Sequence, residues 1–320
     1  MAHSLIILRI GANDAGMRIC SLLPSATEIA FALGLGDEIV GVTHECDYPS
    51  EAKRRRVVVR SILDPERRGS REIDEIVRER LRAKKSIYTI DLASFHEANP
   101  DFIITQNLCD VCAVDYDEVH RAALLLTRPP KIISLAPGRL TDVLRDIERV
   151  GEGTGKTTEA EILVRKLKQR IEKIREKAAS SDLRPRVACL EWLDPLFNAG
   201  HWVPEMVDLA GGVDGFGQKG EPSREIEWEA VRAFRPEVIV LMPCGFDVRR
   251  TVSEGAVLRQ LDRWRQLPAV QSGRVFAVNG SAYFNRSGPR LVEGLEILAQ
   301  IIHPEIFPWQ ALPEAAQKLA

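Results

Sequence analysis

Short runs of β-branched and aliphatic residues alternate along this chain with longer stretches in which apolar positions recur every three or four residues. The first pattern is that of buried strands, the second that of amphipathic helices. Residues 18–23 predict a strand that Pro24 stops, and Ser25 is placed to cap a helix through Phe31. Thr27 and Glu28 fall in the first turn of that helix, where a carboxylate suits the dipole, and Gly34 and Gly36 end it. Further strands are predicted over 39–43, 102–105 and 131–135, with helices over 71–84 and 117–126 and a short one ahead of Asn99-Pro100. Helices over 141–150 and 157–177 follow. The second carries Ile162, Leu163, Leu167, Ile171 and Ile174 on one face. Beyond the polar 180–184 segment a new set opens. Its strands are predicted over 187–191, 238–242 and 275–278, its helices over 203–210, 227–234, 258–265 and 289–302.

Strands that alternate with helices argue for α/β architecture. The expected fold is α/β, with two Rossmann-like lobes joined by a single long, rigid helix. An extension covers 1–16, the N-terminal lobe 17–150, the linker helix 151–185 and the C-terminal lobe 186–320.

Composition narrows the function classes. A 45% hydrophobic and 28% charged chain of 320 residues has the means for a packed core, which excludes bulk disorder. A net charge of -2 leaves no basic footprint for nucleic acid. The basic run over 78–85 interleaves acids and reads as a solvated helix face. No apolar stretch reaches the roughly 18 residues that span a bilayer. The first 16 residues lack the basic start, apolar centre and small-residue cleavage site of a secretory signal. A cytoplasmic location is therefore expected, where the six cysteines would be thiols or metal ligands rather than disulfides.

Three sets of residues carry candidate chemistry. The first, Gly-Glu-Gly-Thr-Gly-Lys-Thr-Thr over 151–158, imitates a phosphate loop. Its first glycine stands one residue too close to the Gly-Lys-Thr, and it follows a helix rather than a strand, so it reads as a helix break. The second set is two strand-end loops, His44 to Pro49 and Cys109-Asp110-Val111-Cys112. Such loops meet at the carboxyl ends of α/β strands. Cys46, Cys109 and Cys112 are thus candidate ligands for zinc or an iron–sulfur cluster, against the readings of a redox dithiol or of buried, inert thiols. Cys244 is expected on the cleft side of lobe two, Cys189 and Cys20 inside strands. The third set is aromatic and polar: Trp192, His201, Trp202, Tyr283, Phe284 and Arg286, all on loops that leave lobe-two strands or enter its helices. Flat rings with a few polar groups suit a broad planar small molecule. The chain has neither a nucleophile elbow nor a His-Glu-x-x-His site, so no catalytic residue is assigned.

Several motifs now fall into order. Residues 21–28 (Ser-Leu-Leu-Pro-Ser-Ala-Thr-Glu), with Ala30, Gly34 and Gly41-Val42, resemble the opening of class III substrate-binding proteins, the cobalamin and iron-siderophore group, and most of all its cobalamin binders. Asp47-Tyr48-Pro49, residues 99–103, their echo at 235–239, and Ser287-Gly288-Pro289-Arg290 continue the resemblance, which spans 17–302. It implies a non-enzymatic protein that holds cobalamin, a related corrinoid or another metal chelate such as haem or a siderophore between two lobes. On that basis Tyr48 and Asn107 flank the ligand from lobe one, and Trp202 with Tyr283 to Arg286 closes the other side. His201 or His44 is placed as an axial ligand. Family members are exported and dock on an ABC permease through one acidic residue on each lobe. The lobe-two position matches Glu229, but the lobe-one position is Ala93. An extracytoplasmic location is thus the alternative that the resemblance implies. The rival function is a cytosolic metal or iron–sulfur protein, or enzyme, built on Cys46, Cys109 and Cys112.

Overall fold

The computed structural model describes residues 16–63, 67–106 and 114–319. Lobe one runs β1 (Ile19–Ser21), α1 (Pro24–Ala32), β2 (Ile39–Thr43), β3 (Val57–Ser61), α2 (Ser70–Arg82), β4 (Tyr88–Ile90), α3 (Leu92–Ala98), β5 (Phe102–Gln106), α4 (Tyr116–Leu124) and β6 (Lys131–Leu135). Its sheet has the order β4-β3-β2-β1-β5-β6. Only the β3–β4 pair is antiparallel. The strand order turns back beside β1, with β2 on one side and β5 on the other. The loops that leave these strands therefore diverge around one crevice.

Local chemistry explains the starts and stops. The structure moves Ser25 from the cap into the first turn of α1. Pro24 takes the first helical position, Leu23 stands at the cap, and no side chain caps the helix. Asp91 and Asp115 cap α3 and α4 by accepting from the Ser94 and Glu118 amides at 3.0 Å each.

Two helices leave lobe one: α5 (Leu140–Thr154) and α6 (Thr157–Ala178). Gly155 turns the chain between them at φ +75°. Gly151 lies inside α5, where a Cβ would stand 2.5 Å from the Ala160 Cβ of α6. The glycine-rich stretch is thus the tight corner of a helix pair, and Lys156, at the cap of α6, pairs with Glu159 in its first turn at 3.4 Å. The 22 residues of α6 rise about 33 Å. Ala160, Val164 and Leu167 lie in the lobe-one core, Ile174 in the lobe-two core, and Ile171 packs against both. Ile162, expected on this apolar face, is instead exposed.

Lobe two runs β7 (Arg186–Leu193), β8 (Leu196–Asn198), α7 (Val203–Leu209), β9 (Val213–Asp214), α8 (Trp228–Phe234), β10 (Val238–Leu241), α9 (Val248–Glu254), α10 (Pro268–Gln271), β11 (Val275–Val278), α11 (Gly280–Tyr283), α12 (Leu291–Ile302) and β12 (Ala316–Leu319). The order is β12-β11-β10-β7-β8, with β9 beside β7. The expected helix over 258–265 is broken into 3₁₀ turns, Gly255–Gln260 and Trp264–Gln266, with Arg263 between them at φ +57°. The lobes interpenetrate at α12: Leu291, Leu295 and Leu298 belong to the lobe-two core, while Val292 belongs to that of lobe one. The two-lobed α/β fold expected from the pattern is the fold observed. No helix among the described residues is long and apolar enough to cross a membrane.

Candidate functional site

A cavity of about 710 Å³ opens between the lobes. Lobe one contributes Asp47 and Tyr48 from the loop after β2. Lobe two contributes the 245–250 stretch after β10, Asn279 to Tyr283 after β11, Arg290 and Glu314. All three loops leave carboxyl ends of parallel strands, where helix starts and turns expose side chains that the sheet cannot cover. Asn279 caps α11 by accepting from the Ala282 amide at 2.9 Å, which presents Ser281 and Tyr283 toward the opening. Tyr48, 47% exposed, lines the cavity from one lobe and Tyr283 from the other, among the charged side chains of Asp47, Asp247, Arg249, Arg250 and Arg290. Phe246 is 3% exposed, with the Arg250 guanidinium 4.4 Å over its ring. Burial raises the Tyr283 phenol above its usual range, so it stays a neutral donor.

Behind these walls lies a polar joint between the lobes. Arg290 donates Nε to Glu28 Oε2 at 2.9 Å, and its Nη2 reaches Oε1. Arg286 donates Nη1 to Glu28 at 3.4 Å and to Asp47, and Nη2 to the Glu45 carbonyl at 3.1 Å. Ser287 and Ser25 hydroxyls meet at 3.2 Å. Gly288 permits the approach: a Cβ there would stand 3.1 Å from Glu28 Oε2 and 3.6 Å from the Ser25 Cα.

A second bridge crosses the other flank. Helix α2 reaches lobe two, and Arg78, in the basic run over 78–85 expected to be a solvated face, takes part. Arg71 forks onto Asp194 at 3.0 and 2.6 Å, Arg78 donates to Glu225 at 2.8 Å, and Ser70 Oγ donates to Glu254 at 2.7 Å. The two arginine pairs are largely exposed, so each contributes little and is screened by salt.

The structure brings together some of the expected site residues and not others. Tyr48 and Tyr283 line the cavity; Arg286 lies just behind it in the joint. Trp192 stands beside its wall, 5.2 Å from the Phe246 ring. Trp202 and Phe284 are corrections. They are 5% and 1% exposed within the lobe-two core, and Trp202 Nε1 donates to the Phe284 carbonyl at 2.7 Å. Loop aromatics face either way, and these two hold the cleft loop from behind. Trp202→Phe is expected to lower stability by about 1–3 kcal/mol, because it leaves that buried carbonyl unsatisfied. Urea denaturation measures the loss, and an unchanged midpoint would refute it.

The two histidines are corrections as well, since neither lines the cavity. His44 is exposed, 6.4 Å from the Tyr88 ring. His201 packs 5.6 Å from Trp202 in a left-handed turn, and burial lowers its pKa. Asn107, Cys109 and Cys112 lie outside the described residues. Cys46 is a buried thiol, 3.0 Å from Thr27 Oγ1 and 3.4 Å from Thr43 Oγ1. Burial raises its pKa, so the free thiol stays protonated. Cys20 and Cys189 are strand thiols in the core, the former pushed up to about 12 by burial. Among the described residues no group of three or more His, Cys, Asp or Glu is placed to hold a metal ion. Arg290 and Glu28 are the residues that sequence reasoning passed over as functional. The motif at 287–290 located Arg290, but nothing in the chain linked it to a carboxylate 262 positions away.

Comparison with known proteins agrees with the fold. A family model described as periplasmic binding protein matches residues 19–282. An uncharacterised ABC transporter substrate-binding lipoprotein of Bacillus subtilis is 28% identical over 296 residues, which cover 91% of this chain and 81% of that protein. A vitamin B12-binding protein of Vibrio cholerae is 26% identical, over 87% of this chain and 86% of that one. Among solved structures, the periplasmic vitamin B12-binding protein of Vibrio cholerae superposes with a TM-score of 0.66 over 92% of this chain and 98% of its own, at 24% identity. A periplasmic haem-binding protein of Pseudomonas aeruginosa gives 0.71 over 95% and 99%, at 17% identity. These findings overturn the cytoplasmic expectation, for the matching family is periplasmic and a relative is a lipoprotein. They give the rival cytosolic iron–sulfur function no support.

Proposed function

This chain belongs to the periplasmic binding protein family, and from that premise we propose that it holds a corrinoid, or a related planar metal chelate, in the cleft between its lobes. The ligand is a cargo, held outside the cytoplasm without chemical change and passed to an ABC permease. The observation that carries this reading is the pair of tyrosines, Tyr48 on one lobe and Tyr283 on the other, that line a cavity of about 710 Å³ between the lobes. Rings give a flat ligand large contact area at low entropic cost. The Ser281 hydroxyl at the rim suits the amide edge of a corrinoid. The vitamin B12-binding relatives favour cobalamin over haem as the first ligand to test. For the permease contact, Glu229 is an exposed acid on α8, 3.6 Å from Arg232, and Ala93 offers no charge on lobe one. We expect the lobe-two contact to carry more of the docking.

Calorimetric titration with cyanocobalamin, and separately with haemin, tests the reading. Saturable one-to-one binding of one of the two is expected. Tyr48→Ala should weaken it by about 1.5–3 kcal/mol, a loss of roughly 10- to 150-fold. Absence of binding by both, in protein with an intact thermal transition, would refute the proposal.

A further inference from the structure

Glu28 is 3% exposed on α1 of lobe one, yet its carboxylate is engaged by lobe two. Arg290 gives it two nitrogens, Nε and Nη2, in the planar fork that matches a carboxylate. The same guanidinium lies 4.0 Å from the centre of the Tyr48 ring and 5.6 Å from that of Tyr283. One planar cation thus touches an aromatic wall of each lobe. Its own orientation is set by a carboxylate that never reaches the cavity.

Tyr48 depends on this support. Its ring is half in solvent, and among the described residues its hydroxyl makes no hydrogen bond. The loop that carries it is tied to the same joint a second time, through Arg286 to Asp47 and to the Glu45 carbonyl.

We propose that Glu28 is a positioning residue for ligand binding: through Arg290 it sets the spacing and facing of Tyr48 and Tyr283, and with them the width of the cleft. The inference rests on the reading of the cleft as the ligand site. The joint has further ties that do not pass through Glu28. The Ser25–Ser287 bond, the close approach at Gly288 and the burial of Val292 in the lobe-one core all hold the lobes together. Loss of the carboxylate should therefore loosen the alignment of the walls without separating the lobes.

The test uses the full chain and three variants: Glu28→Gln, Arg290→Lys and Ser25→Ala. Lysine keeps the charge of Arg290 but loses both the fork and the flat face that stacks on the rings. Ser25→Ala removes a bond from the same joint without touching either ring. Two readouts are taken: affinity for cyanocobalamin or haemin, and the distance between spin labels at the exposed positions 124 and 312, carried on non-canonical amino acids. The first two variants should weaken binding about tenfold or more and broaden the interlobe distance distribution in unliganded protein. Ser25→Ala should lower the melting temperature, leave affinity within about twofold and keep the distribution narrow. Unchanged distances and affinity in folded Glu28→Gln and Arg290→Lys, with only the melting temperature lowered, would overturn the proposal and leave Glu28 as cement. If Glu28→Gln does not fold, Arg290→Lys alone decides between these outcomes. Failure of the unaltered protein to bind either chelate would count against the proposed function, while the distance readout would still decide whether Glu28 aligns the lobes.

Discussion

Arg290→Met is expected to destabilise the protein by about 3–5 kcal/mol, the size of loss seen when one partner of a buried ion pair is removed. Methionine fills similar space along the stem but leaves Glu28 without its fork. The remaining partner is Arg286, at 3.4 Å through a single nitrogen that Asp47 also engages. A carboxylate 3% exposed cannot recover its hydration by rotating outward. The loss should shift the urea midpoint with an unchanged slope, because the lobes still unfold together. A double-mutant cycle isolates the cause. Arg290→Met combined with Glu28→Gln should cost less than the sum of the two single changes, with a coupling of about 0.5–3 kcal/mol. Additive losses would show that the fork contributes nothing and that the cost is packing alone.

The joint also shows where sequence reading reaches its limit. Continuous apolar runs such as Val238–Leu241 and Val275–Val278 identify strands buried on both faces, and the 3.6-residue spacing over 157–178 identifies the helix shared by both cores. These signals are local, so the two-lobed plan was legible. Short edge strands were not: β4, β8 and β12 carry three or four residues each, with polar positions among them. Their strand character comes from the neighbour they pair with rather than from their own pattern. The apolar positions over 258–265 have helical spacing, yet the left-handed turn at Arg263 breaks the segment. Site residues were legible as loops more than as side chains. The loop after β2 and the loop after β11 both reach the cleft as expected, because strand polarity decides that. Which of Trp202, Tyr283 and Phe284 turns inward depends on packing across β10 and α12, which no local pattern encodes. The same holds for Cys46, whose sulfur is enclosed by two threonines from separate elements.

The two bridges across the lobes differ in strength for a physical reason. The pairs that α2 makes with Asp194 and Glu225 are wet, and salt screens them. The pairs that Glu28 makes with Arg286 and Arg290 are buried, so salt screens them much less. A ligand that enters between the lobes can therefore displace those two arginine pairs at small cost, while Ser70–Glu254 and the Glu28 joint are more protected from solvent. Such a division suits a binding protein whose lobes move little around a rigid helix.

Gly294→Ala should show how closely that rigidity and the cleft wall are connected. Taken alone, alanine in a helix interior is favoured over glycine by about 1 kcal/mol. At Gly294 the added Cβ would stand 2.1 Å from the Tyr283 carbonyl oxygen, a backbone atom that no rotamer change can move aside. Overpacking of this kind costs about 1–3 kcal/mol or more, so the clash outweighs the propensity gain. Relief requires α12 to part from α11, and α11 ends at Tyr283, a wall of the cavity. The expected result is a lower melting temperature together with roughly tenfold weaker ligand binding. Gly69→Ala is the control. That residue is the N-cap of α2 at φ -77°, with nothing within 4 Å of a built Cβ, so its change meets no clash, costs at most about 1 kcal/mol as a poorer cap and should leave ligand binding unchanged. If Gly294→Ala were as stable as the control and bound ligand equally well, α12 and the Tyr283 wall would move independently, and a rigid cleft could not be the basis of recognition.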